Sequence, residues 1–322
     1  MKPFKTISEQ IEIMRSRDLI VEDEIDVGNY LLSNNYYNII NGYSKFFPRN
    51  GEKYTNRTTF NEVKQLYLFD LELKQGMFKA ILLAESHIKS IFAYHFAKNF
   101  RSIPYPYLNT ACYDDGKTLS VVSTISKLSG IINHHKTIRS SSICHYINRH
   151  GEVPIWVLVN YLDFGDLRHM LDASKTTIQN EVARDLGGFI SQNLSEPCSL
   201  TPEFMLSYMA NINDVRNVCA HNNRLLGFVC RRDNKYWDKL HDRYGISSAD
   251  ERRSVYSVFI SLQLFLSSTE YAMLHNLIRK RMNYLKNHLR SISIGDIVKT
   301  LGFPDSWPCD VPKLEQKQGA NV

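Results

Sequence analysis

Residues 211–225 bring together side-chain types that suit cleavage of a phosphodiester. Arg216 and His221 lie five positions apart, and Asn217 lies between them. A neutral imidazole accepts the proton of a ribose 2'-hydroxyl or protonates the leaving 5'-oxygen, while a guanidinium pairs with the crowded phosphate oxygens in a fork geometry. Because this scheme requires no metal ion, the sequence predicts catalysis by these three residues without a cofactor.

The period of a regular helix decides which of these side chains share a face. Asn217 lies one turn before His221 and Asp214 one further turn back, so either side chain is predicted to fix the tautomer of the imidazole. Arg216 is rotated by about 140° from His221 at 3.6 residues per turn. Either the guanidinium curls round or a second subunit completes the site, and we expect a homodimer with a composite centre.

A core helix with a polar edge is the alternative interpretation of this segment. Val215, Val218 and Ala220 would then face inward. The Arg-x4-His spacing alone favours that alternative, because such strings occur by chance in many proteins.

Other motifs indicate no metal site. Asp163-Phe164-Gly165 spells the kinase magnesium motif, but the glycine-rich and catalytic loops that accompany it in kinases are missing from the sequence. His134-His135 and Cys144-His145 lack complementary ligands at metal spacing. We therefore predict that the chain binds no metal.

Composition limits the class of protein. The 322 residues are 43% apolar, enough to bury a substantial core as one large domain or two small ones. The six cysteines lie far apart and form no C-x-x-C pair, which fits a reducing compartment. The N-terminus lacks an apolar signal core, and the longest apolar run, 155–162, is too short to span a bilayer. A cytoplasmic location without membrane attachment is expected.

The charge balance permits an RNA partner. Lysine and arginine (39) outnumber aspartate and glutamate (33), and residues 279–290 contain no carboxylate. Such a run can track a phosphate backbone, although it also fits a solvated helix face. The predicted RNA contacts are Arg279, Lys280, Arg281 and Lys286, with Arg224 as a weaker phosphate contact.

The apolar period is helical along nearly the whole chain, which predicts an all-α fold. Ser/Thr-x-x-Glu spacing marks helix starts at Thr6, Thr59 and Ser248, and Thr201-Pro202 marks a fourth. The pattern from Thr59 predicts a spine of about ten turns, as one helix or as two stacked near Gly76. Further helices are predicted over 119–150, 154–172, 174–193, from 201 onwards and over 255–286.

Three regions are expected along the chain. Residues 1–58 form an N-terminal helical region packed on the core, residues 59–300 form the main helical domain, and residues 301–322 form a C-terminal tail. The tail after Gly302 contains three prolines and little apolar content. We expect it to fray.

Four blocks of sequence resemble one known family when taken in order. They are Asn35-Tyr36-Tyr37 with Gly42-Tyr43, Phe60 with Leu66-Tyr67-Leu68-Phe69-Asp70, Pro154-Ile155-Trp156 with Phe164-Gly165, and Arg216-Asn217-Val218-Cys219-Ala220-His221. Together they cover residues 30–225 and are similar to blocks of the Abi abortive-infection proteins, of the AbiD and AbiF-like kind. The last block looks like the R-N-x-x-x-H signature of HEPN domains.

This resemblance implies a HEPN-like helical bundle with additional N-terminal and inserted helices, spanning 59–300 in its core. It also implies a dimer that apposes two Arg/His pairs, and RNA cleavage that leaves a 2',3'-cyclic phosphate. A toxin-like role in phage defence follows, restrained in some relatives by a structured non-coding RNA. Asn222 stands where relatives often have a second histidine, so no role of a second ring is carried over.

The function expected is a metal-independent endoribonuclease toxin of an abortive-infection or RNA-regulated toxin-antitoxin system. The alternative is a non-catalytic HEPN-like protein that holds a structured non-coding RNA. A purely structural helical adaptor is a third interpretation.

Overall fold

Helices form nearly all of the regular structure in the computed structural model, which describes residues 3–315. In that part of the chain, the only sheet is a hairpin of two-residue strands, β1 (Arg49–Asn50) and β2 (Lys53–Tyr54). The prediction of an all-α fold is confirmed. The α-helices are α1 (Ile7–Ser16), α2 (Glu24–Asn34), α3 (Phe60–Asn99), α4 (Thr118–His135), α5 (Ser142–His150), α6 (Ile155–Leu158), α7 (Phe164–Ala173), α8 (Thr176–Leu194), α9 (Pro202–Ala220), α10 (Asp238–His241), α11 (Val255–Ser261), α12 (Ser268–Lys286), α13 (Ile294–Lys299) and α14 (Trp307–Asp310).

Helix α3 is the spine of the fold. Thr59 and Glu62 form the predicted capping box at its start, and the helix runs unbroken for 40 residues. A Cβ added at Gly76 would lie 2.6 Å from Leu277 Cδ2, so the glycine permits α12 to approach α3 closely rather than interrupting the helix. Helices α8, α9 and α12 pack along this spine.

The three helix starts predicted from Ser/Thr-x-x-Glu spacing differ in outcome. The capping box at Thr6 forms, as does the one at Thr59. The box predicted at Ser248 is wrong, because α11 begins later and is capped by Ser254. Arg252 holds residues 247–250 in an irregular loop by donating to the backbone carbonyls of Ser247 and Ser248.

Several long predicted helices are divided in the structure. Residues 119–150 form α4 and α5, with Ser141 capping the second. Residues 255–286 form α11, a 3-10 turn at Leu262–Leu264, and α12. Ser267 and Glu270 start α12 with a capping box that the sequence analysis missed.

The C-terminal segment packs on the bundle as far as the structure describes it. Phe303 and Trp307 are buried, and the Trp307 ring lies 5.2 Å from the ring of His275 in α12. Arg279 Nε donates to the carbonyl of Val311 at 2.7 Å. The expectation of fraying after Gly302 is therefore wrong for residues 303–315, because two large aromatic side chains supply the apolar surface. Residues 316–322 lie outside the described residues.

All three predicted regions contribute to one hydrophobic core. Met14 from the first region, Phe92 from the second and Trp307 from the third belong to the same buried cluster. Among the described residues, no helix is both long and apolar enough to cross a membrane.

Candidate functional site

Helix α9 carries the predicted catalytic residues and ends just before the histidine. Thr201 caps its start, Pro202 is its first residue, and His221 is its C-cap. Asn222 adopts a left-handed conformation (φ +52°), and the amide of the next residue donates to the carbonyl of Val218 at 3.0 Å. This is the Schellman pattern of helix termination, in which asparagine is tolerated at the left-handed position. His221 is therefore presented at a helix end rather than inside a helix.

Both members of the predicted pair have unused hydrogen-bonding groups. The His221 side chain is exposed, and its ring has no hydrogen-bond partner within residues 3–315. Arg216 is half-buried, its Nη1 donates to Asn217 Oδ1 at 3.3 Å, and its Nε is buried without a partner. Within the same residues, no carboxylate pairs with the guanidinium. A group with several free donors suits an anionic guest.

The predicted orienting contacts to the imidazole are not formed. The carboxylate of Asp214 instead accepts the backbone amide, Nε and Nη2 of Arg231, at 3.0, 3.0 and 2.6 Å. The Asn217 side chain accepts from Arg216 and so orients the guanidinium. The prediction that Asp214 or Asn217 fixes the tautomer of His221 is wrong in this structure.

A buried carboxylate on α3 holds the turn that follows His221. Asp70 is fully buried and accepts the amide of Leu226 at 2.9 Å, the amide of Leu225 at 3.1 Å and the hydroxyl of Tyr43 at 2.7 Å. Burial raises the pKa of Asp70, and the hydrogen bond from Tyr43 and the charge of Lys74 act in the opposite direction. Satisfying a buried carboxylate this fully fixes the geometry of the loop around it.

Lys74, one turn further along α3, forms a hydrogen bond with Asn222, the residue in the left-handed conformation. The ammonium is buried, lies 3.4 Å from Asp70 Oδ2 and donates to Asn222 Oδ1 at 2.7 Å. The side chain of Asn222 therefore ties the turn after His221 to the core.

Arg224 is held in the same turn. Its Nε donates to the carbonyl of Leu226 at 3.0 Å, its Nη1 donates to the carbonyl of Gly42, and its guanidinium lies over the Phe46 ring at 5.3 Å. These contacts dock residues 42–46, which precede the hairpin, onto the loop after α9. The predicted contact of Arg224 with phosphate stays a prediction, and the structure adds a structural role.

The sequence blocks singled out above converge on this helix end. Gly42 from the first block and Asp70 from the second bind the loop after α9, across 182 and 155 residues of sequence, and Tyr43 donates to Asp70. Sequence reasoning identified Tyr43 and Asp70 only as members of blocks. Lys74 was missed, because an isolated lysine on a helix carries no local signal.

Further cations lie beside α9. Helix α7 packs on α9, and a Cβ added at Gly165 would lie 3.6 Å from Asn213 Nδ2. Burial and the nearby charges of Arg232 and Arg231 lower the pKa of Arg168 in α7. These arginines were not predicted to belong to the site.

Cys219, which lies between Arg216 and His221, has an unreactive thiol. Burial raises the pKa of its thiol to about 12, and the charge of Asp70 acts in the same direction. Since only the thiolate is a strong nucleophile, this cysteine stays protonated and inert. Within residues 3–315, no three His, Cys, Asp or Glu side chains form a group that could hold a metal ion.

The cations of α12 are mostly engaged within the molecule. Arg279 donates to the C-terminal segment, Arg281 pairs with Glu72 at 3.0 Å, and Lys286 Nζ lies 3.1 Å from Cys309 Sγ. Lys280 is exposed and has no hydrogen-bond or ion-pair partner in the described part of the chain. RNA binding by these four residues stays a prediction.

The comparisons with known proteins agree with the resemblance to Abi proteins. No curated protein and no solved structure matches this chain. The sequence profile of the family described as Abi-like protein matches residues 29–227, which include the Asp70 network, Arg216 and His221. The HEPN relationship stays a prediction. Because the match covers more than half of the 322 residues, the chain belongs to the Abi-like protein family.

Proposed function

We propose that this protein is a metal-independent endoribonuclease of the HEPN type, which acts in the cytoplasm as the toxin of an abortive-infection or RNA-regulated toxin-antitoxin system. Membership of the Abi-like family supports the connection with abortive infection. The observation that carries the cleavage chemistry is the end of α9. There an exposed imidazole caps the helix, and a half-buried guanidinium without a carboxylate partner within residues 3–315 lies near the end of the same helix. Asp70 and Lys74 hold the turn that follows.

The proposed reaction follows from these two groups. The neutral imidazole of His221 accepts the proton of a ribose 2'-hydroxyl, and the 2'-oxygen attacks phosphorus. The guanidinium of Arg216 pairs with the non-bridging oxygens, whose charge grows in the transition state. The bond from phosphorus to the 5'-oxygen breaks, the 5'-oxygen takes a proton from water, and a 2',3'-cyclic phosphate remains.

A homodimer accounts for the placement of the pair. The two side chains leave α9 on different sides, at about 140° to each other by the helical period. In the proposed composite centre, Arg216 of one protomer and His221 of the other face the same phosphate. Two equivalent centres would form in each dimer.

RNA cleavage in EDTA tests the proposal. We expect the purified protein to cut single-stranded or structured RNA, and His221→Ala and Arg216→Ala to lower the rate by roughly 10² to 10⁴. The matched controls are His145→Ala and Arg184→Ala, whose side chains are exposed on α5 and α8. Equal cutting by all variants discards the catalytic assignment.

Mixing the two inactive variants tests the composite centre. A heterodimer of Arg216→Ala with His221→Ala keeps one intact arginine and one intact histidine across one of its two centres, so part of the activity should return. Without any return, the pair acts within one protomer. If wild-type protein cuts no RNA but holds one discrete RNA through purification, unaffected by His221→Ala, the alternative of a non-catalytic RNA-holding protein replaces the proposal.

A further inference from the structure

A large cavity lies on the molecule away from the end of α9. It has a volume of about 1200 Å³ and is bounded by the second half of α3, by residues 100–106 and by α5 and α6. Neither Arg216 nor His221 lines it. Trp156, from the third sequence block, is 57% exposed and forms part of its wall, as does Tyr94, which is 64% exposed. Two large aromatic rings left facing solvent in one cavity form a ready surface for a planar guest.

A buried carboxylate in the same cavity lacks one of its partners. Glu85 lines the cavity and is only 7% exposed. Its Oε1 accepts Lys89 Nζ at 2.6 Å, and Lys89 also donates to the carbonyl of Leu162 at 2.7 Å. The Oε2 of Glu85 has no hydrogen-bond partner. Rotation about the last side-chain torsion of glutamate is soft, so a modest turn brings this oxygen toward a donor in the cavity.

Cations lie on another part of the cavity wall. Lys98 and Arg101 are exposed and line the cavity. Lys98 pairs with Glu181 at 3.1 Å, whereas Arg101 has no carboxylate partner within residues 3–315. Because Lys89 already neutralises Glu85, the cavity favours a neutral donor at Glu85 and an anion at Arg101. A cationic guest would meet Lys89 and Arg101 unfavourably.

We propose that this cavity binds a nucleotide. The base stacks on Trp156 and Tyr94 and donates an N–H to Glu85 Oε2, while the phosphate pairs with Arg101 and Lys98. The volume exceeds the range of about 300 to 1000 Å³ typical of pockets for a single small ligand, so there is room for a second nucleotide. The shared chemistry fits a free nucleotide or a nucleotide within an RNA strand. This inference does not rest on the cleavage proposed above.

Fluorescence of Trp156 gives the first test. The other two tryptophans, Trp237 and Trp307, are 7% and 4% exposed, so a quencher that stacks on an exposed indole acts mainly on Trp156. The full chain is titrated with GMP, AMP, a short single-stranded RNA and ribose 5-phosphate. We expect quenching by GMP, AMP or the RNA and none by the sugar phosphate. Quenching by the mononucleotides identifies a free nucleotide as sufficient, and quenching by RNA alone identifies a nucleotide within a strand.

Calorimetric affinities of two variants complete the test. Trp156→Ala should weaken binding by on the order of tenfold, since base stacking on one aromatic side chain is worth that much. Glu85→Gln should also weaken binding, because a hydrogen bond to a carboxylate is replaced by a weaker one to a neutral amide. The matched controls are Leu119→Ala, an exposed apolar residue on α4, and Glu72→Gln, an ion-paired glutamate on α3 outside the cavity. Trp156 is exposed, so its replacement keeps the test valid even where Glu85→Gln fails to fold. No quenching by any nucleotide or RNA, or unchanged affinity in Trp156→Ala, overturns the inference.

Discussion

Two stretches of the chain, the end of α9 and the second half of α12, are rich in cations and use them in different ways. In α12, Arg279 donates to a backbone carbonyl and Arg281 pairs with a carboxylate, although the Nε of Arg281 has no hydrogen-bond partner within residues 3–315. At the end of α9, Arg216 has a single side-chain acceptor and a partnerless Nε, and the ring of His221 is exposed. The two arginines of α12 are therefore held by a backbone carbonyl and a carboxylate, whereas neither kind of acceptor binds the Arg216 side chain within residues 3–315.

For binding an anionic ligand, whether a cation already has an acceptor within the molecule therefore matters more than how many cations a helix carries. The arginines of α12 stabilise the packing of the C-terminal segment and of α3. Around the end of α9, Asp70 and Lys74 are buried and hold the turn by hydrogen bonds, whereas the side chain of His221 is exposed to solvent. A supported turn with free donors is the arrangement expected of a preorganised site.

Replacing an arginine by lysine in each of the two stretches should give the largest difference in RNA cleavage between them. Arg216→Lys keeps the charge but loses the fork of donors, so we expect RNA cleavage to fall by about 10²-fold. Arg281→Lys keeps its pairing with Glu72 at a surface position and should leave the cleavage rate unchanged. Initial rates on one RNA substrate measure both. An equal loss in both variants would show that α12 takes part in cleavage.

Removing the support below the turn should cost stability. Asp70→Ala leaves Lys74 and the amides of Leu225 and Leu226 without their buried acceptor. We expect the free energy of unfolding to fall by about 3 to 5 kcal/mol, as for other broken buried pairs. Urea denaturation measures this, with the exposed Asp115→Ala as the control at less than about 0.5 kcal/mol.

The effect of Asp70→Ala on RNA cleavage tests whether the Asp70 network positions His221. Under conditions where the variant stays folded, its cleavage rate should also drop, because His221 loses the fixed turn that follows it. A stable and fully active Asp70→Ala protein would show that the network below α9 does not position the site.

Local signals in the sequence predicted local structure well. The start of α3 was predicted because Thr59 and Glu62 satisfy each other's backbone amides, a contact within four residues. The equivalent spacing at Ser248 failed, since the guanidinium of Arg252 competes for the same loop by binding backbone carbonyls. Spacing alone does not reveal such a competitor.

The candidate site was only partly predictable for a related reason. The Arg216–His221 spacing identified the residues, but the contacts that hold them join positions more than 140 residues apart. The cations of α12 were predicted to contact RNA because that run contains no carboxylate. Their partners include a backbone carbonyl and Glu72 on another helix, which a count of charges along one helix omits.

The structural role assigned to α12 predicts a moderate effect. Arg279→Ala removes the hydrogen bond to Val311, so we expect a loss of about 1 kcal/mol in stability and faster proteolysis within residues 304–315. Arg290→Ala, an exposed arginine just after α12, is the control. Unchanged proteolysis in Arg279→Ala would show that the aromatic contacts alone hold the segment.

Replacing Lys280 should have the smallest effect on stability. The same variant tests most directly whether α12 binds RNA. Its side chain is exposed and unpaired within residues 3–315, so Lys280→Ala should change stability by less than about 0.5 kcal/mol. If α12 lies outside the RNA-binding surface, the slope of log affinity against log salt stays the same in this variant. A phosphate contact through Lys280 would instead reduce that slope by about one. Such a reduction would make α12 an RNA-binding helix despite the engagement of its arginines, and it would remove the contrast with α9.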